Sequence, residues 1–300
     1  MQSDSKLANK IETGEFIVTV EYLPRPETNA SVIESYVNAF SNGPIAVNVS
    51  DNHYGIAMSS LIASVTLSQS GIEPVYQIVT RDRNRIALQS DLLGAAFMGI
   101  KNVLCLSGYH QTLIGCPESS NVFDIDSIQL IATVRKMNDD GLLLGGTKIE
   151  GPFSMLIGAV ANPFMKPLEL NIIRLNKKVL AGANFIQTQA IFDTEVFLQW
   201  LEAARSAGIT KKVAILAGVM PLASYTEAKK LSDTYTDFNI PDEVLDRIKA
   251  AGNEEAQKKE GVLICTETIQ KIKEMQGLRG VHILSGGNEA VLPQIIEAAL

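Results

Sequence analysis

The chain is poor in the residues that build disulfides and metal centres. It holds three cysteines, three histidines and one tryptophan in 300 residues. Cys105, Cys116 and Cys265 are widely spaced and form no CxxC pair, so no disulfide framework follows. With only His53, His110 and His282 to add, the ligand set also argues against a zinc or iron–sulfur centre within the chain. Positive charge is in deficit: 26 Lys and Arg face 33 Asp and Glu, a net charge of −7. That balance argues against nucleic acid or an anionic membrane as the main partner. An anionic small molecule stays open, because a local site can oppose the global field. No apolar run approaches the roughly 18 residues of a membrane span. The polar opening stretch MQSDSKLANKIETGEF lacks the apolar core of a secretory signal. A soluble, cytoplasmic protein is expected.

What is present is a repeat of short apolar runs and longer amphipathic stretches. Eight runs read as strands: Phe16–Glu21, Ile45–Ser50, Val75–Thr80, Val103–Ser107, Met155–Ala161, Phe185–Gln189, Val213–Ala217 and Val281–Ser285. Helical patterns lie between them, over 31–40, 58–70, 83–98, 126–138, 167–181, 194–207, 224–231 and 266–274. Eight strands alternating with helices predict a parallel sheet closed as a single (β/α)8 TIM barrel over residues 1–300. A doubly wound sheet would usually carry a glycine fingerprint after the first strand, and VEYLPRPET has none. Residues 233–261 add a polar, partly helical excursion between the seventh and eighth strands.

In such a barrel, function sits at the C-terminal ends of the strands. Strand one ends in Glu21, a carboxylate in an apolar mouth whose pKa should be raised. It reads as a functional acid, or as the partner of Arg25. Strand two ends in Ser50-Asp51-Asn52-His53, which suits a site or a turn and cap. Strand three runs into Arg81, Arg83 and Arg85, able to hold a phosphate or to pair with Asp82 and Asp91. Strand four ends in Ser107-Gly108-Tyr109-His110. Strand six ends in Gln187-Thr188-Gln189, two amides and a hydroxyl that suit a heterocycle. Ser285-Gly286-Gly287-Asn288 follows strand eight and suits a phosphate loop or an ordinary turn.

Five segments carry a family resemblance: VTVEYLPRP (18–26), TRDRNRIALQSDLLGA (80–95), VFDIDSIQL (122–130), AGANFIQTQAIFD (181–193) and AGVMPLASY (217–225). In this order, each on its barrel element, they resemble the methylenetetrahydrofolate reductase family. The resemblance implies a flavin, FAD with FMN as the alternative, and reduction of 5,10-methylenetetrahydrofolate to 5-methyltetrahydrofolate. Glu21 falls on the family's general acid. Gln189 and Glu227 fall on folate-contacting positions, with Glu227 where the family often has glutamine. Ser50, Gln77, Gly108 and Lys178 fall on flavin-contacting positions, with Asp51, Ser107, Tyr109 and Asn162 at neighbouring strand ends.

Two departures change the expected chemistry. Where the family's fourth strand commonly ends in Gly-Asp, this chain has Gly108-Tyr109. Loss of that carboxylate should raise the flavin potential unless another acid, such as Asp51, compensates; Tyr109 could itself stack on or bond to a ring of flavin or folate. Asn288 stands where better-known bacterial members carry an arginine for the folate tail. For the electron donor the resemblance implies either NAD(P)H or a separate iron–sulfur subunit, and for the assembly a homo-oligomer or one subunit of a hetero-oligomer. The resemblance places it in one-carbon metabolism, in methionine synthesis or an acetyl-CoA pathway. Two other readings compete: a non-catalytic folate-binding or docking subunit of a one-carbon complex, and a barrel flavoenzyme for a different pterin.

Overall fold

The computed structural model describes residues 4–41, 43–235 and 237–300, without the side chains of residues 38, 39 and 41. Met1–Ser3 of the opening stretch and Thr236 of the excursion lie outside the described residues. Eight parallel strands close into one barrel in sequence order. They are β1 (Ile17–Tyr22), β2 (Ala46–Val49), β3 (Pro74–Val79), β4 (Asn102–Leu106), β5 (Leu156–Ala161), β6 (Phe185–Ala190), β7 (Ala214–Val219) and β8 (Gly280–Ile283). β1 pairs β8 with Thr19 beside His282, which closes the ring. The strands are buried almost throughout, as expected when helices cover the outside and side chains fill the inside.

The helices run α1 (Lys6–Thr13), α2 (Ala30–Ser41), α3 (Ser60–Gln69), α4 (Arg85–Phe97), α5 (Ser127–Asp140) and α6 (Leu168–Ala181). They continue as α7 (Thr194–Ser206), α8 (Tyr225–Thr234), α9 (Asp242–Ala250), α10 (Glu254–Ile272) and α11 (Leu292–Ala299). Local chemistry sets several starts. Asn84 accepts from the N–H groups of Ile86 and Ala87 at the start of α4, and Asp126 and Gln129 form a reciprocal capping box on α5. None of the helices among the described residues is long and apolar enough to cross a membrane.

The barrel interior is apolar at its N-terminal end and polar at its C-terminal end. Ile17, Val75, Leu104, Leu156, Phe185 and Leu216 pack together there, and Leu7 and Ala8 of α1 plug the opening. Glu73 fixes the plug by accepting from the N–H groups of Lys6 (2.7 Å) and Leu7 (2.9 Å). One turn further up, the inward residues become Thr19, Asn48, Gln77, Gln187 and His282, all buried. α8, α9 and part of α10 form a separate apolar cluster with Phe192, Leu222, Phe238 and Leu284, beside the mouth.

Candidate active site

The C-terminal mouth encloses a cavity of about 380 Å³ that reaches down to Gln187 and His282. Its floor is a closed polar network. Asn48 Nδ2 donates to Gln187 Oε1 (2.7 Å), and Gln187 Nε2 returns to Asn48 Oδ1 (3.0 Å) and reaches Thr19 Oγ1 (3.2 Å). Thr19 Oγ1 lies 2.9 Å from His282 Nδ1. Burial holds the His282 imidazole neutral, its pKa pushed down to about 3. Gln187 therefore spends its amide on the barrel interior. Thr188 Oγ1 accepts from Gly218 N–H (2.8 Å) and donates to the Gln189 carbonyl (2.9 Å). Of the three polar residues at the end of β6, only Gln189 keeps its side chain for the upper cavity.

Glu21 stands on the wall above this floor, 4 % exposed. Burial pushes its carboxyl up to about 7, with nearby Glu289 adding to the rise. Ser50 Oγ donates to Glu21 Oε1 at 2.8 Å and, with a backbone N–H of Ser285, pulls the other way. The expected alternative, a pair with Arg25, is not formed: Arg25 Nη2 donates to the Gly287 carbonyl (2.7 Å). Ser50 itself acts through Glu21 and does not line the cavity.

Of the two readings of the three arginines, the structure takes the pairing one, with Asp82 and Asp91 among the partners. Arg83 pairs with Asp51 (2.6 Å) and Asp91 (2.9 Å), and Arg85 pairs with Asp124 (2.7 Å). Arg81 pairs with Asp82 and donates to the carbonyls of Tyr109 (3.1 Å) and Asn52 (3.2 Å). It thus ties the ends of β2, β3 and β4 together, and its guanidinium still borders the cavity. Ser285–Asn288 likewise takes the ordinary-turn reading: Ser285 Oγ donates to Glu289 (3.2 Å) and accepts from Gly287 N–H (3.2 Å).

A flavin fits the residues that remain. Gly108 has φ +85°, and a Cβ there would press on Val79 and Arg81 at 3.2–3.3 Å. Only glycine gives this flat edge beside Gln77 and Ser107. Next to this edge, past β5, Lys178, Arg174 and Asn162 line the cavity beside the N-terminus of α5. Lys178 Nζ donates to the Val160 carbonyl (2.5 Å). Burial, with Arg174 nearby, pushes its amine down to about 8. A cationic amine, a guanidinium and a helix start suit the phosphates of a dinucleotide.

Tyr109 answers the question of the missing fourth-strand carboxylate. Its hydroxyl donates to Asp237 Oδ2 (2.7 Å), and Gln189 Nε2 donates to the same oxygen. Asp237 follows α8 and is partly buried, with its carboxyl raised by burial. Asp51 does not fill this role, because Arg83 and the Val79 N–H (3.0 Å) hold it. The Tyr235 ring lies 4.8 Å from the Tyr109 ring, tilted by 41°, and His53 meets that ring edge-on at 5.3 Å. His110 points elsewhere, to Thr112. Glu227 does not line this cavity; it borders a smaller one with Tyr54, Met220 and Asn288.

The family model for methylenetetrahydrofolate reductase matches residues 6–299. The chain belongs to that family. A probable NADPH-dependent methylenetetrahydrofolate reductase of Caenorhabditis elegans is 23% identical over 248 residues, 81% of this chain and 34% of that protein. The 5,10-methylenetetrahydrofolate reductase of Salmonella typhimurium is 25% identical over 217 residues, 71% and 66% of the two chains. The chain thus covers less than two thirds of the length of each. A solved Clostridium thermocellum protein that binds two copies of 5-methyl-5,6,7,8-tetrahydrofolic acid superposes over 98% of both chains, with a TM-score of 0.66 and 14% identity. That likeness is one of fold. In this chain Asp237 reaches the mouth from the excursion after β7.

Proposed function

We propose that this protein reduces 5,10-methylenetetrahydrofolate to 5-methyltetrahydrofolate with a bound flavin, FAD in preference to FMN, and with Glu21 as general acid. The observation that carries the reading is the Glu21 carboxyl, buried in the mouth and pushed up to about 7. When bound, the flavin supplies the hydride for the one-carbon unit. The residues of the chain do the rest. Glu21 holds a proton at neutral pH and delivers it to the folate nitrogen that departs as the five-membered ring opens. Ser50 fixes the rotamer of Glu21 through Oε1. Gln189 orients the pterin, and the neutral floor of Asn48, Gln187 and His282 keeps water and charge from below. Gly108, Gln77 and Ser107, which line the cavity, would hold the isoalloxazine, and Lys178 with Asn162 would meet the phosphates. The reducing equivalents come from NAD(P)H or from an iron–sulfur partner subunit. The working form is a cytoplasmic homo-oligomer or one subunit of a hetero-oligomer.

Two facts support the folate assignment: membership of the family, and a neighbour of the same fold that binds 5-methyl-5,6,7,8-tetrahydrofolic acid. The test is a visible spectrum of the purified protein, followed by anaerobic addition of 5-methyltetrahydrofolate. A flavin spectrum that bleaches is expected. Glu21→Gln should keep the spectrum and lose turnover by about 100-fold or more, the usual worth of a positioned acid. A flavin that stays oxidised in the wild type refutes the folate reaction. A colourless protein that resists reconstitution with FAD and FMN favours a non-catalytic folate-binding subunit.

A further inference from the structure

We propose that Asp237 is the specificity residue for the aminopyrimidinone edge of the pterin, with Tyr109 and Gln189 as positioning residues that aim its carboxylate; this rests on the folate reading above. Three elements converge on it. Tyr109 follows β4, Gln189 belongs to β6, and Asp237 arrives from the excursion after α8. All three line the large cavity. Both side-chain hydrogen bonds to the carboxylate fall on Oδ2, from the Tyr109 hydroxyl and the Gln189 amide. Among the described residues no side chain donates to Oδ1, and no lysine or arginine pairs with Asp237.

A carboxylate in that state calls for donors. It is partly withdrawn from water, held from one side by two fixed groups, and has no cation against it. Its ligand should offer N–H groups on one edge and should be flat, since the rings of Tyr109 and Tyr235 stand beside the acid. The aminopyrimidinone half of a pterin offers a ring N–H and an exocyclic amino N–H side by side, both pointing outward. One carboxylate can accept from such a pair, as it does from a guanidinium. The isoalloxazine offers a poorer match. Its single ring N–H on that edge lies between two carbonyls, which a carboxylate repels. The pterin is therefore the partner of Asp237, and the flavin belongs on the Gly108 and Lys178 side of the cavity.

The experiment compares two ligands on the flavin-loaded protein. One is 5-methyltetrahydrofolate. The other is its counterpart with the 2-amino group replaced by oxygen, which keeps the ring N–H but sets a carbonyl in place of its exocyclic partner. A carboxylate built to accept from a pair of donors meets one donor and one repelling carbonyl in that ligand, so the wild type should prefer the amino form by about 100-fold or more. Asp237→Ala should bring the preference down to about 10-fold or less, and Asp237→Asn should do the same while keeping the size of the side chain. Tyr109→Phe should lower the preference part of the way. Flavin absorbance, read in parallel, reports the cofactor site separately. An unchanged preference in both Asp237 variants overturns the assignment and leaves the folate reading intact. A wild type that holds flavin but binds neither ligand overturns the folate reading and the assignment with it.

Discussion

Glu21→Gln should stabilise the protein at pH 8 and leave its stability unchanged at pH 4. The unfolded chain carries this carboxyl at its ordinary 4.5, and the folded chain carries it at about 7. Between these values the folded state binds a proton that the unfolded state has released. Stability must therefore fall as pH rises through that window. Below 4.5 both states are protonated and the favourable contribution is complete; above about 7 it is gone. The gap between 4.5 and about 7 is worth about 3 kcal/mol. Glutamine has the same shape, and its Oε1 can accept from Ser50 Oγ, but it has no charge to bury. The variant should match the wild type at pH 4 and exceed it by roughly 2–3 kcal/mol at pH 8. Urea unfolding at pH 5, 6, 7 and 8 measures the difference directly, since other titrating groups cancel between the two proteins. A difference that stays flat from pH 5 to pH 8 refutes the raised carboxyl. A positive result would show a site held at a cost to the fold, as expected of a buried acid kept for proton transfer.

Two further outcomes follow from the cation pattern. Lys178→Met should weaken FAD binding at pH 7, and it should abolish the loss of affinity that the wild type shows as pH rises through about 8, where the amine gives up its charge; fluorescence titration of the apoprotein from pH 6.5 to 9 reads both effects. Arg83→Ala should destabilise the protein by about 3 kcal/mol, because it leaves Asp51 buried beside the Val79 N–H without its guanidinium. A change below about 0.5 kcal/mol in urea unfolding would place that pair among the inconsequential ones.

The barrel was legible because burial on both faces makes each strand a short apolar run, so all eight strands fall within two residues of their expected starts, as with Val103 against Asn102. The long helix α10 joins what the sequence pattern divides into a polar excursion ending at Gly261 and a separate helix over 266–274. The structure gives that glycine another duty: a Cβ there would lie 1.8 Å from the Leu222 carbonyl oxygen, so the glycine lets the helix approach the β7 loop. α1 and α11 were missed, being eight residues each with too few turns to show a period. Glu21 was readable because a carboxylate ending an apolar strand is chemically odd. For the arginines, pairing with Asp82 and Asp91 was readable from nearby sequence, whereas the partners Asp51 and Asp124 were not, because they come from other loops. Asp237 was invisible for a related reason. It sits in an excursion with no fixed register to the barrel, and only the fold brings it to Tyr109. The cluster Tyr235, Asp237 and Phe238, two rings and an acid inside a polar insertion, was the one local sign.

The neutral floor of the mouth changes how a pH–rate profile for this protein should be read. An inflection near neutrality is habitually assigned to a histidine. Burial holds His282 at about 3, and burial together with Arg81 holds His53 at about 4. His110 is turned to Thr112, away from the cavity. Neither of the two imidazoles that line the cavity, His53 and His282, changes its charge between pH 5 and pH 9. A limb near 7 would therefore report a carboxylic acid, and one near 8 an amine. Their enthalpies of ionisation differ sharply, so the temperature dependence of the profile would separate the two with no substitution made.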